Sequence, residues 1–297
     1  MKNLISVIIN FHNGEKYLKN SVKSVIEQNY KNFELILWDN ASTDNSEFVI
    51  SNFDDNRIRY FRNPIKDDLY KARNKALSHS EGKFIAFLDC DDWWENDYLS
   101  SREQFFDDEN FDFYYCNANY FFEKKRKKKL YKNYTLPSGR IYSFLSKDYF
   151  VIISGVIFRK ELFQRFGKFN ENYNIIGDFD FIMKISSFSN AHALNLPLIN
   201  YRVHDENFSR LNTKIFYEEY KFWFDENKKK FENFDFKENI IFHKNRLNFL
   251  ELSYLLNNSK KNFGIFKKII KHNNFFEKIK FLLLFFVPKG IHKFIRK

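Results

Sequence analysis

The sequence contains little cysteine, glycine or proline and no long apolar run. Its cysteines are Cys90 and Cys116 alone, which excludes a disulfide-stapled scaffold and favours a reducing compartment. The 8 glycines and 4 prolines exclude collagen-like and loop-dominated architectures. The longest unbroken apolar run covers residues 281–287, whereas a membrane-spanning helix needs roughly 20 such residues. The first residues also lack the apolar stretch of a signal peptide, so we expect a cytoplasmic protein.

What remains is the composition of a packed fold. Hydrophobic residues make up 44% and charged residues 29% of 297 positions, which excludes a fully disordered chain and fits one large domain, or a domain with an appendage. The net charge of +11 is concentrated near the end, because residues 260–297 contain 11 Lys and Arg but a single acid, Glu277. This distribution argues against a nucleic-acid-binding surface spread over the fold and indicates a separate partner for the tail.

The first 90 residues alternate between strand and helix patterns. A short apolar run over residues 4–9 predicts a strand buried on both faces. Apolar residues then recur on one face of a helix from Leu18 to Ile26. Further strands are predicted at 33–37, 58–61 and 83–88, separated by helices at 42–53 and 70–80. Strands separated by helices imply right-handed crossovers, so we expect a doubly wound α/β fold: a mainly parallel sheet with helices on both faces.

The rest of the chain is less regular until it becomes helical. Strands are predicted at 112–122, 151–158 and 198–202, a helix at 179–188 and a solvated basic loop at 123–129. From about Phe208 onward the periodicity is helical. We therefore expect a first domain over residues 1–209 and a C-terminal helical region over 210–297.

Polar side chains follow three of the predicted strands. Residues 10–13 follow the first strand, Asp39 follows the second, and Asp89-Cys90-Asp91-Asp92 follows the fourth. Ligands of open parallel sheets bind outside the carboxyl ends of the strands, so these groups predict a site. The chain has no glycine-rich phosphate loop, which disfavours dinucleotide dehydrogenases and P-loop enzymes. Clustered carboxylates at a strand end can instead hold a divalent cation that bridges phosphate oxygens.

Five segments in order carry a family resemblance. They are Ser-Val-Ile-Ile-Asn-Phe-His-Asn (6–13), Gln-Asn-Tyr-Lys-Asn-Phe-Glu-Leu-Ile (28–36), Asp39 with Ser42 and Asp44, Ala-Arg-Asn (72–74), and Phe-Leu-Asp-Cys-Asp-Asp (87–92). Together they resemble the family 2 glycosyltransferases, which are nucleotide-sugar enzymes of GT-A fold, over roughly residues 4–209. The resemblance implies an enzyme, a hexosyltransferase.

The resemblance also implies which residues bind the nucleotide. Asp39 would accept a hydrogen bond from uracil N3–H and so select a uridine nucleotide. Arg73 would lie near the base and phosphates, where its planar guanidinium offers a fork of donors. Asn10 and His12 belong to the opening turn, and His12 stands where the family often has an aromatic ring that meets the base. The donor expected from the resemblance is a UDP-sugar.

Four further residues are implied at the reacting end of the donor. Asp89 would face the ribose and sugar, and Asp91 would bind Mn²⁺ or Mg²⁺ on the diphosphate. Gly-Asp-Phe-Asp (177–180) is similar to the family's Glu-Asp-x-Asp, whose inner Asp, here Asp178, is the general base of an inverting transfer. Its alternative role is that of a helix N-cap. Tyr-Arg-Val-His (201–204) is similar to the family's Tyr-Arg-x-His, so His204 is either a metal ligand or a structural histidine.

The basic tail completes the expected function. Lysines alternate with phenylalanine, isoleucine and leucine beyond residue 260, a pattern typical of helices that lie on anionic membranes. The alternative is an appendage with a solvated basic face. We expect an inverting, metal-dependent transferase on the cytoplasmic face of the inner membrane that moves a hexose or N-acetylhexosamine to a lipid-linked saccharide of a lipopolysaccharide, O-antigen or capsule. The rival functions are a nucleotidyltransferase and a non-catalytic, membrane-associated nucleotide-sugar-binding protein.

Overall fold

The structure is a computed structural model that describes residues 3–233, 237–272 and 274–286. Its contacts divide the chain into two compact units. The first comprises the residues up to Leu145 and Tyr149–His204, and the second comprises Ser146–Asp148 and the described residues from Asp205 onward. The predicted division into residues 1–209 and 210–297 stays a prediction, and the last part of the predicted basic tail, 287–297, lies outside the described residues.

The first unit has an alternating strand and helix order at its start. Its strands are β1 (Ile5–Phe11), β2 (Phe33–Asn40), β3 (Ile58–Asn63), β4 (Phe84–Phe87), β5 (Trp93–Trp94), β6 (Phe113–Phe122), β7 (Lys127–Leu130), β8 (Val156–Arg159) and β9 (Ala191–Val203). Its helices are α1 (Glu15–Ile26), α2 (Ser46–Ser51), α3 (Leu69–Ser78), α4 (Tyr142–Leu145), α5 (Glu161–Phe166) and α6 (Gly177–Ser186), with 3₁₀ turns at Ser100–Phe105, Glu123–Lys125 and Ile153–Gly155.

One mixed sheet organises this unit. The strand order is β3-β2-β1-β4-β8-β6-β9-β5, and β7 pairs with β6. The pairs β3–β2, β2–β1 and β1–β4 are parallel, as the alternating pattern predicted, and β6–β9 is parallel too. The pairs of β8 with β4 and β6 are antiparallel, as are β5–β9 and β6–β7. The expected α/β architecture is confirmed, and its purely parallel part consists of the first four strands.

The core lies on both faces of these parallel strands. All eight residues of β2 and all four of β4 are buried, which explains why the two strands are mainly apolar. Gly82, just before β4, allows the closest approach: a Cβ atom there would lie 2.6 Å from the backbone nitrogen of Ser6. The amide of Gly82 also donates to Ser6 Oγ at 2.8 Å. A side chain at position 82 would therefore separate the turn from β1.

Three predicted elements of the first unit are corrected. The basic segment 123–129 is not a loop, because Glu123–Lys125 form a 3₁₀ turn and β7 then pairs with β6 in a hairpin. The strand predicted at 151–158 begins only at Val156, after the 3₁₀ turn Ile153–Gly155. That turn is itself buried, and its Ile153 continues the hydrophobic pattern of the strand. The helix predicted at 179–188 begins two residues earlier, at Gly177.

The second unit is helical, as its sequence pattern predicts. Its helices are α7 (Phe208–Leu211), α8 (Thr213–Asn233), α9 (Lys237–Asn258), α10 (Phe263–Ile270) and α11 (Phe275–Phe286). A small apolar core joins the last three of them and contains Leu252, Leu256, Ile265, Ile269, Phe281 and Leu284. Among the helices that the structure describes, none has the length and apolar character that crossing a membrane requires.

Candidate functional site

The loops that follow β1 and β2 are tied together by side chains of the Asp-x-x-Ser-x-Asp segment. Asp39 Oδ1 accepts a hydrogen bond from the Ser42 amide at 2.7 Å, which closes the turn after β2. Ser42 Oγ accepts from the Asn13 amide at 2.9 Å, and Asp44 Oδ2 accepts from the Glu15 amide at 2.9 Å. The spacing of the motif therefore has a structural reason: each side chain satisfies a backbone N–H of the turn or of the neighbouring loop.

Asp39 is fully buried at the end of β2. Its second oxygen, Oδ2, accepts a hydrogen bond from Tyr60 Oη on β3 at 2.9 Å. Burial and the adjacent charge of Asp39 raise the pKa of Tyr60 to about 12, so the phenol stays a donor at neutral pH. A carboxylate offers about four lone-pair positions, so these two hydrogen bonds leave Asp39 with unused acceptor capacity. Tyr60 carries no motif and was not among the predicted site residues.

Asn10 and His12 lie at the end of β1, which is between β2 and β4 in the sheet. His12 Nδ1 lies 3.0 Å from the Asn40 carbonyl oxygen. Because a carbonyl only accepts, we assign the proton to Nδ1. On the other side, Asn10 Oδ1 lies 3.4 Å from Arg73 Nε, a long and weak contact. The end of β1 therefore connects the β2 side of the rim with the β4 side.

Arg73 and Asp89 form an ion pair between α3 and the loop after β4. The Arg73 side chain is only 2% exposed, whereas that of Asp89 is 34% exposed and reaches the surface of the site. Burial opposes the charge of Arg73, but Asp89 outweighs it and raises the pKa of the guanidinium. The backbone amide of Asp89 donates to Ser154 Oγ at 3.2 Å. Ser154, like Tyr60, was not among the site residues predicted from the sequence.

Asp91 and His204 meet although they lie on different elements. His204 Nε2 is 2.8 Å from Asp91 Oδ2, and Arg202 Nε donates to the Asp91 carbonyl at 2.8 Å. The neighbouring Asp92 is 1% exposed, and it accepts from the Arg202 amide at 2.9 Å and from Ser154 Oγ at 2.7 Å. Burial, with the charges of the neighbouring acids, raises the pKa of Asp92. Asp92 thus fixes the loop to β9, whereas Asp91 is 24% exposed at the site.

The carboxylate of Asp91 and the imidazole of His204 fit a divalent cation that takes its other ligands from phosphate oxygens of a bound substrate. No cluster of three or more His, Cys, Asp or Glu side chains suited to a metal occurs among the described residues. Mg²⁺ is commonly bound through one or two carboxylates together with substrate phosphates. Asp91 Oδ2 and His204 Nε2, hydrogen-bonded at 2.8 Å, are the two candidate ligand atoms here.

Asp178 lies in the first turn of α6, where its carboxylate points to α3. Tyr70 Oη donates to Asp178 Oδ1 at 2.6 Å and lies 3.0 Å from the Ile175 carbonyl oxygen. The helix N-cap is Ile176, and no side chain caps this terminus, so the alternative role of Asp178 as an N-cap is not what the structure contains. Burial, together with the charge of Asp178, raises the pKa of Tyr70.

These contacts bring most of the predicted site residues into one connected group. Helix α3 provides both Arg73, which pairs with Asp89, and Tyr70, which holds Asp178; the guanidinium of Arg73 lies 5.2 Å from the Tyr70 ring centre. Asp91 lies on the same loop as Asp89, and His204, which follows β9, contacts Asp91. The remaining pair, His12 and Asp39, lies on the β1–β2 side of the rim. The arrangement combines an ion pair, two candidate metal ligands and a carboxylate that can act as a base.

Comparison with known sequences identifies the family. The sequence profile described as "Glycosyl transferase family 2" matches residues 6–175, more than half of the chain. The Escherichia coli protein "UDP-Glc:alpha-D-GlcNAc-diphosphoundecaprenol beta-1,3-glucosyltransferase WfgD" is 38% identical over 114 residues, which cover 38% of this chain and 45% of that protein. The match thus spans less than half the length of that curated relative.

Solved structures share the fold. S. aureus TarS 1-349 in complex with UDP-GlcNAc matches with a TM-score of 0.60 at 19% identity, over 94% of this chain and 79% of that one. The mannosyltransferase PcManGT from Pyrobaculum calidifontis, in complex with GDP-Man and Mn²⁺, matches with a TM-score of 0.58 at 15% identity, over 82% and 69%. From its sequence profile and its architecture, the chain belongs to glycosyl transferase family 2 and has the GT-A fold that its motifs predicted.

Proposed function

We propose that this chain is an inverting glycosyltransferase that moves a hexose or N-acetylhexosamine from a UDP-sugar to a saccharide acceptor. One observation carries the proposal: α3 joins the pair Arg73–Asp89 to the carboxylate of Asp178, so that a donor site and a candidate base share one rigid element. Family membership supports the reaction class. The uridine nucleotide is supported by the acceptor position of Asp39 and by relatives whose names contain UDP-Glc and UDP-GlcNAc.

The residues have complementary roles in this reaction. Asp178 takes the proton of the acceptor hydroxyl, whose oxygen attacks the anomeric carbon from the face opposite the diphosphate. The bond between that carbon and the phosphate oxygen breaks, and its electron pair leaves with UDP. Asp89 and Arg73 hold the sugar and phosphates in line with the attack. An α-linked donor therefore gives a β-linked product.

A divalent cation fits the same proposal. Asp91 and His204 would hold Mn²⁺ or Mg²⁺ together with the diphosphate of the donor. When bound, the ion supplies positive charge that stabilises the departing diphosphate. Arg202 and Asp92 keep Asp91 in place through its backbone and its loop. PcManGT, which shares the fold, was solved in complex with GDP-Man and Mn²⁺, and this supports the choice of ion.

The acceptor that suits the chain best is a saccharide on a lipid diphosphate. WfgD is named for such an acceptor, a GlcNAc-diphosphoundecaprenol. In this chain, α11 exposes an apolar stripe formed by Phe276, Ile279, Leu283 and Phe286, while Phe281 and Leu284 face the core. The stripe has the spacing of one helical face.

Helix α10 and the residue after it also present exposed lysines. Lys267 and Lys271 are exposed on and just after α10, whose Phe263 is 77% exposed. Apolar side chains with lysines beside them bind the interface of anionic membranes, and each lysine contributes about 1 kcal/mol there. We therefore place the protein peripherally on the cytoplasmic face of the inner membrane, in the synthesis of a surface glycan such as a lipopolysaccharide, O-antigen or capsule.

Thermal unfolding with nucleotides, followed by a transfer assay, tests this proposal. Ligands that bind the native state raise the unfolding midpoint by mass action. We expect UDP and one UDP-sugar to raise it in Mn²⁺ but not in EDTA, and that sugar to be transferred to a lipid-diphosphate saccharide with release of UDP. Binding without any UDP release, with every acceptor tried, would favour a non-catalytic binding protein. Release of inorganic diphosphate from UTP and a sugar phosphate would favour a nucleotidyltransferase.

A further inference from the structure

The Tyr70 ring packs directly against the Cα of Gly177, next to Asp178. A Cβ atom built on Gly177 would lie 2.6 Å from Tyr70 Cδ2 and 2.7 Å from both Cε2 and Cγ. Real Cβ atoms do not approach ring carbons so closely, because van der Waals repulsion rises steeply below about 3.5 Å. The ring has little room to move away, since Tyr70 is only 1% exposed. The aromatic ring can pack here only because position 177 has no side chain.

The position of the ring determines what the Tyr70 hydroxyl can reach. Oη lies 2.6 Å from Asp178 Oδ1 and 3.0 Å from the Ile175 carbonyl oxygen. Both partners accept, and the hydroxyl has one proton, which the shorter contact and the negative charge direct to Asp178. The raised pKa of Tyr70 keeps that proton in place at any working pH. Tyr70 is thus a permanent donor to one oxygen of this carboxylate.

The second oxygen of Asp178 differs from the first. In the described part of the chain, no hydrogen bond to Asp178 Oδ2 is found. A base that removes a proton in line with an attacking oxygen needs one free oxygen and a fixed orientation. Holding Oδ1 leaves the rotation of the carboxylate fixed and Oδ2 available.

We propose that Tyr70 is the positioning residue of the base Asp178, and that Gly177 is required because its missing side chain makes the space for the Tyr70 ring. This inference rests on the proposed function, since it assigns Asp178 as the base. It goes further in two respects: it gives Oδ1 to the hydroxyl and Oδ2 to the acceptor, and it makes positions 70 and 177 interdependent.

The variant Tyr70→Phe, which keeps the ring and removes the hydroxyl, tests the positioning role. The hydroxyl holds one oxygen of the carboxylate, so its loss lets the carboxylate of Asp178 rotate away from the acceptor oxygen. We expect kcat to fall about tenfold or more, and the KM for the UDP-sugar and the Kd for UDP to stay unchanged. Tyr114→Phe is the matched control, because its buried hydroxyl donates to the Phe105 carbonyl at 2.7 Å and contacts no site residue.

The outcomes separate this inference from the proposed function. Loss of turnover in Asp178→Asn, together with a lower kcat at unchanged KM in Tyr70→Phe and a wild-type kcat in Tyr114→Phe, supports the inference. If Asp178→Asn retains turnover, the base is misassigned and the proposed function fails with it. If Asp178→Asn is inactive but Tyr70→Phe keeps the wild-type kcat, the positioning role alone is overturned.

A stability cycle tests the shared space without any activity assay. Gly177→Ala should lower the thermal midpoint of the wild type, because the new Cβ meets the Tyr70 ring. In the Tyr70→Ala background the same change should no longer lower the midpoint, since the ring is gone and alanine favours a helix more than glycine does. Equal effects of Gly177→Ala in both backgrounds would overturn the interdependence.

Discussion

Asp91 Oδ2 and His204 Nε2 lie 2.8 Å apart, although the two residues are 113 positions apart in the chain. Asp91 follows β4 and His204 follows β9, and these strands are not neighbours in the sheet. Arg202 provides the link, because its Nε donates to the Asp91 carbonyl and its amide donates to Asp92. The end of β9 therefore places an imidazole on the acidic loop.

Removing either member of this pair should remove the dependence of nucleotide binding on metal. In Asp91→Ala and His204→Ala, we expect the Mn²⁺-dependent part of the UDP thermal shift to be lost, because in the proposed function these two side chains would hold the ion on the diphosphate. His272→Ala is the control, since His272 Nε2 also lies 3.3 Å from an acid, Glu277, but in the second unit. A normal Mn²⁺-dependent shift in both site variants would contradict the assignment.

Asp178→Asn should separate chemistry from binding. An amide cannot take the proton of the acceptor hydroxyl, so we expect kcat to fall about 10²–10⁴-fold. The side chain keeps its size and can still accept from Tyr70 Oη, so the Kd for UDP should stay within about twofold of the wild type. Isothermal titration and a transfer assay on the same preparation measure both quantities. Substantial turnover in this variant would show that another group is the base.

Asp39→Asn should change which pyrimidine the site prefers. The carboxylate accepts from the Ser42 amide and from Tyr60 Oη and, in the proposal, from uracil N3–H. Cytosine has an acceptor at N3, which an amide NH₂ can pair with but a carboxylate cannot. We expect UDP affinity to fall about tenfold, the equivalent of one hydrogen bond to a charged group, and the ratio of CDP to UDP affinity to rise. Tyr60→Phe should weaken UDP binding less and leave the preference unchanged.

The sequence predicted the first half of the sheet better than the second. Strands β1, β2 and β4 are parallel and buried, so each is a short apolar run between polar turns. The 3₁₀ turn before β8 is buried like a strand, so hydrophobic periodicity does not distinguish the turn from the strand. In β7 every residue is exposed, so pairing with β6, not burial, makes it a strand. Pairing of this kind depends on a partner that the local sequence does not reveal.

The site residues also divide into those that the sequence predicted and those that it did not. Asp39, Asp89 and Asp91 stand at strand ends and in motifs, where a sequence pattern can find them. Three other residues contact the site through hydrogen bonds across the fold: Tyr60, Tyr70 and Ser154. Their roles depend on tertiary contacts, which the sequence alone does not show. Tyr70 alone had a weak signal: it lies one helical turn before Arg73, on the same face of α3.

The apolar stripe of α11 should bind anionic vesicles. We expect Phe276→Ser combined with Leu283→Ser to abolish sedimentation with phosphatidylglycerol vesicles, and Lys267→Ala to weaken it about fivefold, the equivalent of 1 kcal/mol. Phe48→Ser is the control, because Phe48 is 70% exposed in the first unit, a similar exposure to the 80% of Phe276. Equal binding to neutral phosphatidylcholine vesicles, or no effect of the double variant, would rule out this surface as the contact.

Asp67 should make the first unit sensitive to acid. Burial opposes the charge of Asp67, but hydrogen bonds and ion pairs with Lys75 and Lys71 outweigh it and lower its pKa to about 2. A carboxyl with a lowered folded pKa contributes stability above its unfolded pKa of about 3.9, and that contribution is lost as the pH falls toward about 2.

We therefore expect Asp67→Asn to lower the stability by about 1 kcal/mol at pH 7, and by progressively less between about pH 4 and pH 2. Urea unfolding at several pH values measures the difference. Asp225 is the control: it also contacts two lysines, Lys221 and Lys228, but its side chain is 43% exposed, so solvent screens its charge and Asp225→Asn should have little effect. A loss in Asp67→Asn that is the same at pH 7 and pH 2 would mean that packing, not charge, accounts for the contribution of Asp67.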